Sequence, residues 1–179
     1  MRQKHTKIGS WLTLAVIAFL TLLPLLFAPF SPVAEAGGVK EQSARAGWTK
    51  CTGTTCIETV IIGTMRGSSK TLSFAETTYK KATGKVVSRR EAFARIGNFT
   101  QDRLQSASVN ARIAVKRCDA QDVCKNAGKV HIKAKWTGKG KVRTDPEDKS
   151  RVRDATVSGT VAGNGLGSLN FANLSVLPK

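Results

Sequence analysis

Ala107-Ser108-Val109-Asn110-Ala111-Arg112-Ile113-Ala114-Val115-Lys116 and, further on, Val130-His131-Ile132-Lys133-Ala134-Lys135-Trp136-Thr137 decide the class of fold. In the first stretch Ala107, Val109, Ala111, Ile113 and Val115 fall on one parity, while Ser108, Asn110, Arg112 and Lys116 fall on the other with Ala114. In the second, Val130, Ile132, Ala134 and Trp136 alternate with His131, Lys133, Lys135 and Thr137. Successive side chains of a strand point to opposite faces, so each stretch reads as a strand with one dry and one wet side. The polar segment between them joins the two as an antiparallel hairpin.

Outward from this hairpin the chain keeps the same character. Thr55 to Met65 is rich in Ile, Val and Thr, and Thr71 to Tyr79 sets Leu72, Phe74 and Glu76 on one face. Thr83-Gly84 turns into Val86 to Ile96, and the acidic loop Thr144-Asp145-Pro146-Glu147-Asp148 precedes alternating Ala155, Val157, Gly159 and Val161. Gly163-Asn164-Gly165 then turns into a last strand, Ser168 to Leu177. About eight short strands with turn residues between them predict an all-β domain, an antiparallel up-and-down barrel or a sandwich. A closed barrel also removes exposed strand edges. The meander resembles the lipocalin and streptavidin barrels in architecture alone. Their Gly-x-Trp opening is absent, since Ala46-Gly47 precedes Trp48, and no ligand or site carries over.

The N-terminus sets the compartment. Arg2, Lys4 and Lys7 precede an apolar run from Ile8 to Phe30, after which Ser31-Pro32-Val33-Ala34-Glu35-Ala36 turns small and polar. This is the order of a secretory signal peptide, residues 1–36, with Ala34 and Ala36 at the positions a signal peptidase reads. An uncut form would be a membrane anchor, because the run is long enough to span a bilayer. Pro24 and Pro29 break a continuous helix and favour cleavage before Gly37. The expected location is secreted or extracytoplasmic in either case. Residues 37–47 read as a flexible lead and 48–179 as one all-β domain.

The whole chain carries +17. Without residues 1–36 it keeps 26 basic against 11 acidic residues, or +15. Such a charge bears on partners rather than on fold, and outside a cell it favours anionic glycans, cell-wall polymers or membrane surfaces. Parity puts Arg112, Lys116, His131, Lys133 and Lys135 on one outward face, extended by Lys139, Lys141 and Arg143, as a polyanion-binding plate. Like charges on paired strands cost stability, so the plate suggests an anionic partner. No aromatic residue interleaves the plate, which argues against base stacking and against sequence-specific nucleic acid binding.

Four cysteines, Cys51, Cys56, Cys118 and Cys124, form an even set in an oxidising compartment and read as disulfides. Of the three pairings, Cys51 with Cys56 and Cys118 with Cys124 is preferred, because each pair brackets a turn. A four-thiolate zinc site is the competing reading, but only the first pair has suitable spacing. No metal or cofactor is expected. His131 has no evident carboxylate partner for triad chemistry, so no catalytic residue is assigned. The best enzyme alternative pairs Glu58 with Glu76 for glycan cleavage, if both face inward. Arg89 and Arg95 on the next strand offer a plain buried ion pair instead. A further alternative is an apolar-ligand carrier using an interior around Trp136, Phe74 and Phe171. Asn98-Phe99-Thr100 and Asn173-Leu174-Ser175 match the glycosylation sequon.

Overall fold

Ten antiparallel strands run in sequence through the computed structural model, which describes residues 38–119 and 121–179. The expected signal peptide lies outside the described residues. The strands are β1 (Val39–Thr52), β2 (Thr55–Arg66), β3 (Ser69–Lys80), β4 (Val86–Arg95), β5 (Phe99–Asp102), β6 (Ser106–Cys118), β7 (Cys124–Thr144), β8 (Arg151–Val161), β9 (Asn164–Gly165) and β10 (Ser168–Pro178). Neighbours follow the order β10-β1-β2-β3-β4-β6-β7-β8-β9, and β10 also pairs with β8 from Asn173↔Asp154 to Val176↔Arg151. That last pairing closes the sheet into a ring.

The alternation read from the sequence sets which residues fill the ring. Val109, Ile113 and Val115 of β6 and Ile132, Ala134 and Trp136 of β7 are buried, while Arg112, Lys133 and Lys135 are exposed. Inside, they meet Ala44, Ala46 and Trp48 of β1, Ile61 of β2, Leu72 and Phe74 of β3 and Leu174 of β10. Trp136 reaches across the ring, where its indole Nε1–H donates to the Arg45 carbonyl oxygen at 3.1 Å. The ring centre at this level is therefore filled by protein.

The segment expected as a flexible lead is largely part of the sheet. From Val39 on its residues belong to β1, which pairs with β10 on one side and β2 on the other. Their small side chains hide the strand. Ala44 and Ala46 are fully buried within the core, and Gly47 lies beneath the Phe171 ring. The expected count of about eight strands also misses the short β5 and β9.

The two ends of the ring differ. At the lower end β5 leaves the wall and passes beneath the interior. Phe99 is fully buried, with its ring against Gly63 of β2. Gln101 Nε2 donates to Ser175 O of β10 at 3.1 Å, and Gln42 Oε1 of β1 accepts from Arg103 N at 3.0 Å. These contacts reach strands β2, β10 and β1, and so cap that end. The upper end carries the β1–β2, β3–β4, β6–β7 and β8–β9 turns. Both disulfides, Cys51–Cys56 and Cys118–Cys124, lie there in the preferred pairing, each at the base of a hairpin turn. Two disulfides are what a chain folding in an oxidising compartment carries.

Each disulfide closes a loop of about six residues, for which the chain-entropy relation gives about 2 kcal/mol. Cys118→Ser/Cys124→Ser is expected to lower the unfolding free energy by about that amount, with little change in the urea m-value. A urea titration beside the parent protein checks this. An unchanged midpoint would show that the cross-link does not constrain the unfolded chain.

Candidate functional site

Two regions concentrate polar and charged side chains: the outer face of β6, β7 and β8, and the uncapped upper end of the ring. The outer face is the expected plate, and its register shows how the charges are spaced. Arg112 lies opposite His131, Lys133 opposite Asn110, and Lys135 opposite Ser108. On the other side of β7, Lys133 faces Thr160 and Lys135 faces Ser158. Each lysine is thus flanked by neutral hydroxyl or amide groups, which avoids most of the like-charge cost of the plate. Among the described residues neither Lys133 nor Lys135 forms an ion pair.

Between these rows runs a groove of about 590 Å³, lined by Asn98, Thr100, Ser108, Asn110, Lys133, Lys135 and Ser158 among others. His131 Nε2 and Asn110 Oδ1 are 2.7 Å apart, and the Thr100 and Ser108 hydroxyls are 2.8 Å apart, so two polar pairs are held in place on the groove's flank. Asn98, the first sequon asparagine, is exposed on the same groove.

The remaining plate residues separate from this centre. Lys116 lies opposite Glu91 of β4. Lys139 lies opposite Asp154, which forms a 2.8 Å ion pair with Arg143. Lys141 sits in the register shift between Lys139 and Val142. The structure therefore gathers Arg112, His131, Lys133 and Lys135 and leaves Lys116, Lys139, Lys141 and Arg143 at its margins, two of them facing acids.

The upper end holds Glu76, but not the expected carboxylate pair. Glu58 is exposed on the outer face of β2, whereas Glu76 points inward from β3, so the sheet lies between them. Val60 and Ile62, which suggest an inward face for Glu58, are on the outer side and only half-buried, with Thr59, Ile61 and Gly63 inward. Glu76 does enter an ion pair, and its partner is Arg90 rather than Arg89 or Arg95. Arg90 Nε and Nη2 donate to Glu76 Oε1 and Oε2, each at 2.7 Å. Side-chain exposures of 13% for Glu76 and 22% for Arg90 place this pair at the water-facing end of the core. Arg89 instead pairs with Asp122 at 2.9 Å, and Arg95 is exposed.

The interior expected for an apolar ligand does not assemble. Phe171 is 41% exposed on the outside, against Gly47, while Trp136 and Phe74 are packed within the core. All four cysteine sulfurs are in disulfides, so the four-thiolate zinc arrangement does not form. Arg90 is the residue that alternation misses. Its neighbours Arg89 and Glu91 are also charged, and only the register of β3 with β4 shows which of the three points inward.

Comparison with family models, with curated proteins and with solved structures finds no match to this chain.

Proposed function

We propose that the chain is exported by a cleaved signal peptide, folds as an up-and-down β-barrel, and acts outside the cytoplasm as a non-enzymatic binding module for extended anionic polymers. The observation that carries this reading is the β6–β7–β8 groove, with Lys133 and Lys135 set among hydroxyl and amide side chains and facing no carboxylate across the register. Spaced point charges beside neutral hydrogen-bonding groups suit a flexible polymer with repeated negative charge. Anionic glycans and cell-wall polymers are ligands of this kind, and a membrane surface offers the same charge in two dimensions.

Retention on a heparin-type matrix across a salt gradient tests the reading. Replacing Arg112, Lys133 and Lys135 together by serine is expected to cut the slope of log affinity against log salt by about 2 to 3, because each contacting charge releases about one counterion. A second variant that removes three exposed cations from other faces, Lys40, Arg95 and Lys179, controls for net charge and should retain most of the parent slope. Equal elution of the two variants would show that retention follows total charge and not this groove.

A further inference from the structure

We infer that the uncapped end of the ring is a second binding site, for a single sugar unit bearing a carboxylate, the uronic acid class. This inference does not rest on the outer-face reading. Its basis is the register of the first four strands, which stacks inward-facing residues in tiers. The floor tier is Trp48–Thr59–Glu76–Arg90, each residue directly opposite the next. Above it stands Lys50–Ile57–Thr78–Ser88, again in direct register. The opposite wall is the β8–β9 turn, where Ala162, Asn164 and Gly165 present little bulk. The floor tier, Lys50 and Ile57 of the tier above, and this turn bound a cleft of about 220 Å³, the scale of one pyranose ring with its substituents.

Each tier supplies part of the recognition. Glu76 occupies the Nε–Nη2 edge of Arg90, and the guanidinium stands over the Phe74 ring at 5.9 Å from its centroid, so its plane is fixed. A guanidinium carries five N–H donors, and among the described residues the Nη1 pair has no acceptor. That second edge suits a carboxylate. Glu76 balances the charge of Arg90, and Lys50 on the tier above leaves the cleft with one net positive charge, matched to a monoanion. The Thr59 hydroxyl, 4% exposed at the residue level, has no hydrogen-bond partner among the described residues and meets the cleft between Trp48 and Glu76. Hydroxyls of Thr52 and Thr55 line the upper wall, and Trp48 and Ile57 give apolar surface for the C–H face of a sugar ring.

The surroundings favour the same ligand. The β3–β4 turn brings Lys80, Lys81 and Lys85 to this end, tied to the β1–β2 turn by the Lys81 N–H to Thr54 O bond at 2.9 Å. Such a rim draws anions toward the cleft.

Titration of the protein with glucuronate, followed by backbone amide chemical shifts, tests the inference, with glucose and acetate as the comparison ligands. Saturable shifts are expected at Trp48, Thr59 and the 161–165 turn, with glucuronate binding about tenfold more tightly than either comparison ligand. Lys50→Gln, a change at an exposed position, should keep the amide spectrum of a folded protein and weaken glucuronate about fivefold or more. Arg90→Lys should weaken it further, while the Arg112, Lys133 and Lys135 serine variant should bind glucuronate as the parent does. Glucose or acetate binding as tightly as glucuronate would overturn the assignment, as would absence of saturable shifts or glucuronate affinity unchanged in folded Lys50→Gln. Because the triple serine variant separates the two sites, loss of polymer retention leaves this result standing, and the reverse also holds.

Discussion

Replacing Gly159 with alanine is expected to destabilise the domain by at least about 3 kcal/mol, since it combines a disallowed backbone conformation with a collision against main chain. Gly159 lies in β8 directly opposite Ala134, with φ at +148°. A Cβ there would overlap the Lys133 carbonyl oxygen and stand 2.8 Å from Ala134 Cα. Neither contact is the end of a flexible side chain, so relief requires β7 and β8 to separate. At roughly 4 °C per kcal/mol for a domain of this size, the melting temperature should fall by about 12 °C. Gly97→Ala is the control, because a Cβ at Gly97 meets nothing within 4 Å and should shift the midpoint by no more than a few degrees. A Gly159→Ala melt within about 2 °C of the parent would mean that β8 can move away without loss. The site also bears on function: β7 carries Lys133 and Lys135, and the groove beside them is partly formed by Gly159 itself.

The fold is legible in the sequence where one face of a strand is greasy and the other charged. β6 and β7 meet that condition, and their pairing, their buried set and the outward position of Arg112, Lys133 and Lys135 follow from alternation alone. It is not legible where interior positions are held by residues that are not hydrophobic. β2 illustrates the failure: its inner residues are Thr59, Ile61 and Gly63, and its outer ones include Val60 and Ile62. Gly63 is inside because the Phe99 ring takes its space, and Thr59 is inside because it borders the cleft beside Glu76. Greasiness therefore selects the wrong side, and Glu58 goes with it. The same cause hides β1, whose Ala44, Ala46 and Gly47 look like linker until the bulk of their neighbours is known. Pairing of Glu76 with Arg90 needs the β3–β4 register, which no local pattern encodes. The disulfides are legible because each spans a turn short enough to fix its own partner.

Trp136→Ala is expected to cost about 3 to 5 kcal/mol, the range for losing a buried aromatic side chain without full collapse of the space. Trp136 has no exposed surface, and its reach from β7 to the Arg45 carbonyl links walls that are far apart in the chain. Truncation removes apolar contacts and leaves a cavity at the ring centre, which the cross-strand ladders on every side keep from closing. Trp136→Phe separates the two contributions. It retains much of the volume and forfeits the N–H bond to Arg45 O, so a loss of about 1 to 3 kcal/mol is expected, the cost of some lost packing together with a buried carbonyl lone pair left without its donor. Urea unfolding of the three proteins should therefore give the highest midpoint for the parent, a lower one for Trp136→Phe and the lowest for Trp136→Ala, with m-values alike. If the alanine variant lost less than about 1.5 kcal/mol, the surrounding strands would have to collapse freely into the space of the indole.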